Sequence, residues 1–167
     1  MTHLFNAMSP MEHRQPGMVG AGLMSKEVYT ELICDTFHIH PQIYKMVAAL
    51  KQDKLILISD CIRAGGLTDG EYELGGQKVT VQGIECRLEN GVIAGSILSL
   101  DQAIANLARY TDLPIEKIIA TVSTNPARAL GIEEQKGSLQ PGRDADILLL
   151  DEALSVKSVW LRGNKVK

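Results

Sequence analysis

The feature that most constrains the fold is an uninterrupted apolar run in residues 54–59, which read KLILIS. A strand that is apolar at every inner position must be covered on both faces, as in a parallel sheet. A second apolar run lies within residues 31–37, and Pro41 fits the first turn of a helix that extends to about Leu50. The buried stripe of this helix is predicted to consist of Ile43, Met46, Val47 and Leu50. Strand, helix and strand in this order predict a βαβ unit, and therefore an α/β fold.

The middle of the sequence has the pattern of antiparallel strands. Residues 71–81 alternate polar and apolar side chains around a Gly-Gly turn, and residues 86–88 continue the alternation. Such alternation is typical of strands that have one face in solvent. Two more strands are predicted near the end of the sequence, at residues 145–150 and 158–161. We therefore expect a small β domain that is assembled from both sides of a helical stretch.

Three helices are predicted in that stretch from their start signals. The sequence SLDQ, which begins at Ser99, has the spacing of a capping box, and Pro114 opens a second helix. Asn125 and Pro126 are interpreted as the N-cap and first residue of a third helix, which ends at Gly131.

Composition and charge exclude several classes of protein. Hydrophobic residues make up 45% and charged residues 22% of the chain, which is typical of a folded protein and not of a disordered one. No apolar run reaches about 18 residues, so no transmembrane helix is predicted. The net charge of −3 argues against nucleic acid as a partner. Three widely spaced cysteines without a CxxC pair indicate reduced thiols, so we expect a cytoplasmic protein with no membrane partner.

Polar residues of the types used in hydrolysis follow three predicted strands. His3 lies near the first strand, Asp35 and His38 near the second, and Asp60 follows the third. In a (β/α) barrel the carboxyl ends of the strands meet on one face, where active sites lie. Any one of these residues alone is more often structural, but three such positions in succession favour a shared site.

Several longer blocks of the sequence carry a more specific signal. They are residues 2–10, 13–17, 35–38, 59–60, 70–72, 93–96, 125–127 and 137–146. Together these blocks resemble the N-acetylglucosamine-6-phosphate deacetylases, which are metal-dependent members of the amidohydrolase superfamily. The first two blocks are specific to the deacetylases, whereas the last two are shared by many amidohydrolases. The resemblance covers essentially the whole chain.

The resemblance implies a fold and a division into domains. The implied fold is the C-terminal portion of a TIM-like (β/α) barrel of the metal-dependent hydrolase type, with part of a small β-sandwich domain. The barrel portion comprises residues 1–66 and 91–136, and the β-sandwich portion comprises residues 67–90 and 137–167. A complete barrel needs roughly 250 residues, so we expect this chain to be an incomplete fragment.

The resemblance also implies roles for residues near the start of the chain. His3 resembles a ligand of a divalent metal ion, and its imidazole suits zinc, with iron or cobalt as alternatives. Asn6 and Ala7 resemble a pair that contacts the sugar phosphate, and Arg14 resembles the phosphate-binding arginine. In the family this arginine can reach a neighbouring subunit's site, so we expect the full-length protein to be a homodimer.

Later segments resemble the substrate pocket and the catalytic group. The pocket residues implied by the resemblance are Asp35, Thr36, Phe37, His38, Ile93, Ala94 and Gly95. His38 would polarise the amide carbonyl, and Thr36 stands where the family usually has glycine. Asp60 resembles the catalytic carboxylate, which takes a proton from the attacking water and passes it to the amine.

One departure from the family separates what the parent protein does from what this chain can do. The family's metal site also uses a glutamate and a second histidine from earlier strands, and neither has a match here. The leading interpretation is that the parent hydrolyses N-acetylglucosamine 6-phosphate to glucosamine 6-phosphate and acetate, and that this chain alone is inactive. One alternative is another metal-dependent amidohydrolase. The other is a non-catalytic α/β fragment that self-associates through open sheet edges.

Overall fold

The computed structural model describes all 167 residues, which form five α-helices and three β-sheets. The helices are α1 (Gly17–Met24), α2 (Gln42–Lys51), α3 (Leu100–Tyr110), α4 (Ile115–Ala120) and α5 (Thr124–Leu130). The strands are β1 (Thr30–Ile33), β2 (Leu55–Ile58), β3 (Gly70–Leu74), β4 (Gln77–Gln82), β5 (Glu85–Leu88), β6 (Ile147–Leu150), β7 (Val156–Leu161) and β8 (Asn164–Lys165). None of the helices combines the length and apolar character that a membrane span requires.

The predicted βαβ unit is confirmed. Strands β1 and β2 pair in parallel, with Ile33 opposite Ile58, and α2 connects them. The first residues of the chain extend this pair on the other side of β1. The backbone N–H of Glu31 donates to the carbonyl of Met1 at 2.9 Å, and that of Leu4 donates to the carbonyl of Glu31 at 2.7 Å.

Two details of this unit differ from the prediction. The apolar run within residues 31–37 forms a strand only as far as Ile33, because the Asp35 carboxylate binds the next backbone N–H groups and turns the chain. The stripe expected to include Leu50 is also wrong at that position, since Leu50 is 51% exposed. Lys51 is buried instead, and its ammonium donates to the carbonyls of Gly22 at 2.7 Å and Ser25 at 2.6 Å, which draws this side of α2 against the end of α1.

The main core lies between the β1–β2 pair and the helices around it. It contains 17 buried residues, among them Leu32, Leu57, Tyr44 and Leu107, which are at most 3% exposed. Burying a side chain of this size contributes roughly 1.5–3 kcal/mol. The core therefore holds the ends of β1 and β2, where the predicted site residues lie, in a fixed arrangement.

Helix α1 is not predicted by the sequence pattern. Its sequence, GMVGAGLM, has no polar residue that would mark a solvent face. Val19 and Leu23 enter the main core, whereas Met18 and Met24 are 52% and 66% exposed. A helix that is apolar on all sides is usually covered, so the exposed side of α1 is an uncovered apolar surface.

The predicted antiparallel segment is confirmed as the sheet β3–β4–β5. Glu71 pairs with Thr80 across the Gly-Gly turn, and Val81 pairs with Cys86. The buried side chains of this sheet form a separate small cluster with residues of the flanking loops. That cluster consists of Ala64, Val79, Val81, Cys86 and Ala94.

The helical stretch confirms two of the three predicted start signals. Ser99 and Gln102 form the capping box of α3, and α4 follows Pro114. The third signal is wrong, because α5 begins at Thr124 and Asn125 lies inside it. Asn125 is 2% exposed and its amide Nδ2 donates to the carbonyl of Leu55 at 2.8 Å, so its side chain serves β2 and not its own helix.

The last sheet, β6–β7–β8, confirms the strands expected near the chain end. Strand β6 pairs with β7 antiparallel, and no strand pairing joins this sheet to β3–β5. Leu150 and Leu154 pack against the main core. The division of the chain into a barrel portion and a β-sandwich portion stays a prediction.

Candidate active site

The loop after β1 contains a hydrogen-bonded pair of candidate site residues, Asp35 and His38. The Asp35 Oδ1 accepts hydrogen bonds from the backbone N–H groups of Phe37 at 2.9 Å and His38 at 2.8 Å. Its Oδ2 lies 2.5 Å from the Nδ1 of His38, and both side chains are only 5% exposed. One carboxylate therefore fixes both the loop and the imidazole, and leaves the Nε2 of His38 as the free ring nitrogen.

The electrostatics of Asp35 result from two opposed effects. Burial raises the pKa of the carboxyl group. The hydrogen bonds from the His38 ring and from the backbone of His38 and Phe37 lower it by more, so the pKa lies below the ordinary value of 3.8. Asp35 is therefore ionised at neutral pH.

Thr36 lies in the same loop in a conformation that favours glycine. Its φ is +67°, and its backbone N–H donates to the hydroxyl of Tyr44 at 2.8 Å. Tyr44 is fully buried, and this burial raises the pKa of its hydroxyl. Left-handed backbone at a β-branched residue costs of order 1–3 kcal/mol and is typical of functional sites.

The same unusual backbone occurs at the other predicted site segments. His3, Ala7 and Asp60 have φ values of +33°, +54° and +49°. Gln52, Leu154 and Arg162, outside the candidate site, also have positive φ values, so this backbone strain accompanies the site and does not define it alone. The turn at residues 3–6 is stabilised by the backbone N–H of Asn6, which donates to the carbonyl of His3 at 2.9 Å.

Asp60 lies two residues beyond β2, just as Asp35 lies two residues beyond β1. Because Ile33 and Ile58 are opposite each other, the two aspartates leave the same edge of the sheet. The side chain of Asp60 is exposed, and its carbonyl accepts from the backbone N–H of Ser96 at 2.9 Å. The structure therefore presents this carboxylate to solvent at the edge where His38 is held.

The residues predicted to touch substrate through their main chain lie beside Asp60. Gly95 has a φ of +69°, and a side-chain carbon at this position would lie 2.6 Å from the Ile62 side chain. The backbone N–H of Ala94 donates to the carbonyl of Cys86 at 2.9 Å, and Ile93 forms a bridge with Arg87. The close contact at Gly95 accounts for a residue without a side chain.

Arg14 and His3 are placed differently from the rest. Arg14 lies exposed in the loop before α1, and it makes no ion pair or hydrogen bond. The Nδ1 of His3 is buried and has no hydrogen-bond partner. A buried ring nitrogen without a partner fits a metal ligand, because buried polar atoms are otherwise almost always bonded.

The chain does not supply a complete metal site. No group of three or more histidine, cysteine, aspartate or glutamate residues is arranged to hold a metal ion. A catalytic zinc normally has three protein ligands and a water molecule. His3 therefore fits one ligand position, and the other positions are not provided by these 167 residues.

A cavity of about 560 Å³ lies behind this loop, between α3 and the β4–β5 turn. It is bordered by Asp35 and Thr36, but not by His3, His38 or Asp60. This cavity is thus next to the candidate site and does not coincide with it.

Sequence reasoning missed the residues that hold the site from a distance. Tyr44 supports Thr36, and the amide of Asn106 donates to the carbonyl of Cys34 at 2.7 Å. Arg87 lies over the Phe37 ring, with 4.9 Å between its guanidinium carbon and the ring centroid. The available sequence signal for Tyr44 was a polar hydroxyl group among the apolar side chains of α2. The sequence contains no comparable signal for Asn106 or Arg87.

Comparison with known proteins identifies the family. The model of the amidohydrolase family matches residues 1–166, so the chain belongs to the amidohydrolase family. Members of this family generally use a divalent metal ion.

Individual relatives are more specific. The chain is 44% identical over 165 residues to the N-acetylglucosamine-6-phosphate deacetylase of Bacillus subtilis (strain 168), covering 98% of this chain and 42% of that protein. A protein of Escherichia coli (strain K12), provisionally named an N-acetylgalactosamine-6-phosphate deacetylase, is 39% identical over 161 residues, which are 96% of each chain.

A solved structure gives the same result. The crystal structure of the N-acetylglucosamine-6-phosphate deacetylase from Thermotoga maritima matches with a TM-score of 0.95 and 37% identity, over 100% of this chain and 46% of that one. The resemblance to these deacetylases is therefore confirmed. The chain spans less than half the length of the B. subtilis and T. maritima proteins, and nearly all of the E. coli protein.

Proposed function

We propose that this chain is the catalytic C-terminal part of an enzyme that hydrolyses N-acetylglucosamine 6-phosphate to glucosamine 6-phosphate and acetate. The observation that carries the proposal is the buried Asp35–His38 pair at the same sheet edge as the exposed Asp60. The names of the B. subtilis and T. maritima relatives support the substrate. Such an activity belongs to amino-sugar catabolism.

The chemistry assigns distinct roles to the two side chains. His38, fixed through Nδ1–H by the ionised Asp35, directs Nε2 at the amide carbonyl; in the doubly protonated form of the ring, whose charge Asp35 balances, Nε2–H donates a hydrogen bond to the oxygen as negative charge develops on it. Asp60 accepts a proton from the attacking water, whose oxygen bonds to the carbonyl carbon. When the carbon–nitrogen bond breaks, Asp60 returns the proton to the amine, and acetate and the amino sugar leave.

The substrate's phosphate and sugar are assigned to the remaining residues. Arg14, exposed and without a partner, provides a planar fork for the phosphate dianion. Asn6 and Ala7, which precede Arg14 by eight and seven residues in the sequence, are assigned to the sugar phosphate. The sugar ring is placed against the loop after β1 and the main chain beside Asp60. These residues are Thr36, Phe37, Ile93, Ala94 and Gly95.

The metal in this proposal is zinc, with iron or cobalt as alternatives. The orphaned Nδ1 of His3 supports this role for one ligand. Because the other ligands are not among these residues, the 167-residue chain alone is expected to have no deacetylase activity.

The architecture and assembly are proposed in the same way. The parallel pairing of β1 and β2 supports the C-terminal part of a (β/α) barrel, residues 1–66 and 91–136, joined to β-sandwich segments 67–90 and 137–167. The uncovered apolar side of α1, directly after the Arg14 loop, supports a homodimer of the full-length protein. Three free cysteines support a cytoplasmic location.

A second candidate substrate is N-acetylgalactosamine 6-phosphate. The name of the E. coli relative favours it, since that protein matches the chain over nearly its full length. The two sugars differ only in the configuration of one hydroxyl group. The chemistry assigned to His38 and Asp60 is the same for both.

A chimera tests the proposal. The matching 42% of the B. subtilis enzyme is replaced by this chain, so that the missing portion comes from an active relative. We expect metal-dependent acetate release from one of the two phosphorylated sugars, and none from Asp60→Asn in the same chimera. A folded, metal-loaded chimera that hydrolyses neither sugar contradicts the proposal. Preference for an amide without a phosphate would favour a different amidohydrolase, and a stable oligomer of the chain without activity in any chimera would favour a non-catalytic module.

A further inference from the structure

The segment of residues 62–97, here called the β3–β5 lobe, packs around its own core. The five buried residues of that core are separate from the main core of 17 residues. The lobe nevertheless carries part of the candidate site, because Ile93, Ala94 and Gly95 belong to it. Its position relative to the loop at residues 35–38 therefore determines whether the two halves of the site face each other.

One side chain of the lobe reaches that loop. The guanidinium carbon of Arg87, on β5, lies 4.9 Å from the centroid of the Phe37 ring, within the range of a cation–π contact. The guanidinium is held in place from inside the lobe. Its Nε donates to the Glu85 carboxylate at 2.8 Å, and its Nη1 donates to the carbonyl of Gly91 at 2.8 Å.

The contact continues from Phe37 to the imidazole. The Phe37 and His38 rings meet edge to face, with centroids 5.7 Å apart and an angle of 81° between the ring planes. Asp35 fixes only the Nδ1 side of His38. The Phe37 ring is thus the second support of the imidazole, and Arg87 is the support of the Phe37 ring.

We propose that Arg87 is a positioning residue, which docks the β3–β5 lobe on Phe37 and thereby orients His38 opposite the Ile93–Gly95 main chain. This inference rests on the proposed function for its catalytic meaning, but its structural part is independent of it. The alternative is that Arg87 only pairs with Glu85 inside the lobe. That pair is half exposed, and such pairs contribute little to stability.

The first test uses the 167-residue chain itself and needs no activity. NMR signals of the His38 and Phe37 rings are compared in the unsubstituted chain, Arg87→Met and Arg87→Lys. The matched control is Lys165→Met, because the Lys165 ammonium lies 5.7 Å from the centroid of the Trp160 ring in the β6–β8 sheet, which carries no candidate site residue. We expect Arg87→Met to shift the His38 and Phe37 ring signals, Arg87→Lys to shift them less because it keeps the charge, and Lys165→Met to leave them unchanged.

Clear outcomes overturn the proposal. If Arg87→Met alters only signals of the lobe and leaves both rings at their original shifts, Arg87 acts only within the lobe. If Arg87→Met does not fold, the ring signals of Arg87→Lys are used for the same decision. Lysine keeps a cation over the Phe37 ring but cannot make both guanidinium hydrogen bonds, to Glu85 and to Gly91. Equal shifts of the His38 ring in Lys165→Met would mean that the effect is unspecific.

The second test uses the chimera with the B. subtilis enzyme. A lost exposed cation–π contact corresponds to about a two- to fivefold fall in rate, so Arg87→Met is expected to lower kcat by about this factor with little change in KM. A raised KM with unchanged kcat overturns the orienting role. If the unsubstituted chimera is inactive, the proposed function fails, and the NMR comparison still decides the role of Arg87.

Discussion

Replacing Asp35 with alanine removes the acceptor of three hydrogen bonds at once. The lost bonds are those from the backbone of Phe37, the backbone of His38 and the His38 ring. Both side chains of the Asp35–His38 pair are 5% exposed, so water cannot simply take the place of the carboxylate. The donors that remain would be buried without a partner.

The expected magnitude follows from this geometry. Removing one partner of a buried pair costs about 3–5 kcal/mol. For a domain of this size each kcal/mol lowers the Tm by about 2–4 °C, which gives a fall of about 6–20 °C. Asp35→Asn keeps an oxygen for the two backbone donors but replaces the acceptor of the His38 ring with an amide NH2, so its cost is expected to be about 1.5–3 kcal/mol.

Urea unfolding followed by circular dichroism measures both values on the isolated chain. The control is Asp112→Ala, because Asp112 pairs with Lys45 but its side chain is 90% exposed; it is expected to change stability by less than about 0.5 kcal/mol. A loss below about 1 kcal/mol for Asp35→Ala, or equal losses for the alanine and asparagine variants, would refute the reasoning.

The same carboxylate predicts a dependence on pH. The pKa of Asp35 in the folded chain lies below the ordinary value of 3.8, owing to the hydrogen bonds that outweigh its burial. Its stabilising effect is therefore complete above that ordinary value and disappears as the pH falls through the lower folded-state value. The stability difference between the unsubstituted chain and Asp35→Asn should shrink only in this acid range.

Three further predictions concern other residues. Asn125→Ala leaves the Leu55 carbonyl without its partner and is expected to destabilise the chain by about 1–3 kcal/mol in the same urea assay; Asn90→Ala, at an exposed turn, is the control. In the chimera, Arg14→Ala is expected to raise KM for the phosphorylated sugar about ten- to a hundredfold more than for its unphosphorylated analogue, and equal effects would make Arg14 structural. The isolated chain is expected to bind less than stoichiometric zinc by elemental analysis, and stoichiometric metal with turnover would show that the site is built from other residues.

The sequence predicted those helices and strands that are determined by neighbouring residues. The capping box at Ser99 and the order of strand, helix and strand in the βαβ unit follow from local residue patterns, and the structure has both. Helix α1 was missed because all its positions are apolar and no face can be distinguished. Asn125 was misread because its partner, Leu55, lies 70 residues away, and its type alone favours a helix cap.

In the candidate site too, local features were predictable and contacts between distant segments were not. The positions of Asp35 and Asp60 directly after two strands were predictable, and their common edge follows from the parallel register of β1 and β2. The support of that site was not predictable. The contacts of Tyr44 with Thr36 and of Arg87 with Phe37 depend on how separate elements pack, which no motif in either segment encodes.

The far edge of β2 has a consequence for how this sheet can grow. Its carbonyl at Leu55 accepts the Asn125 amide, its N–H at Leu57 donates to the Thr121 carbonyl at 3.1 Å, and the chain beyond it pairs with Ser96. A helix turn and a loop thus occupy backbone groups on this side of β2 that a neighbouring strand would otherwise use. Further strands are therefore expected to pair more readily beyond the Met1 segment than along β2. The occupied side of β2 is therefore less able to pair with the edge of another sheet, which protects the chain against aggregation through that edge.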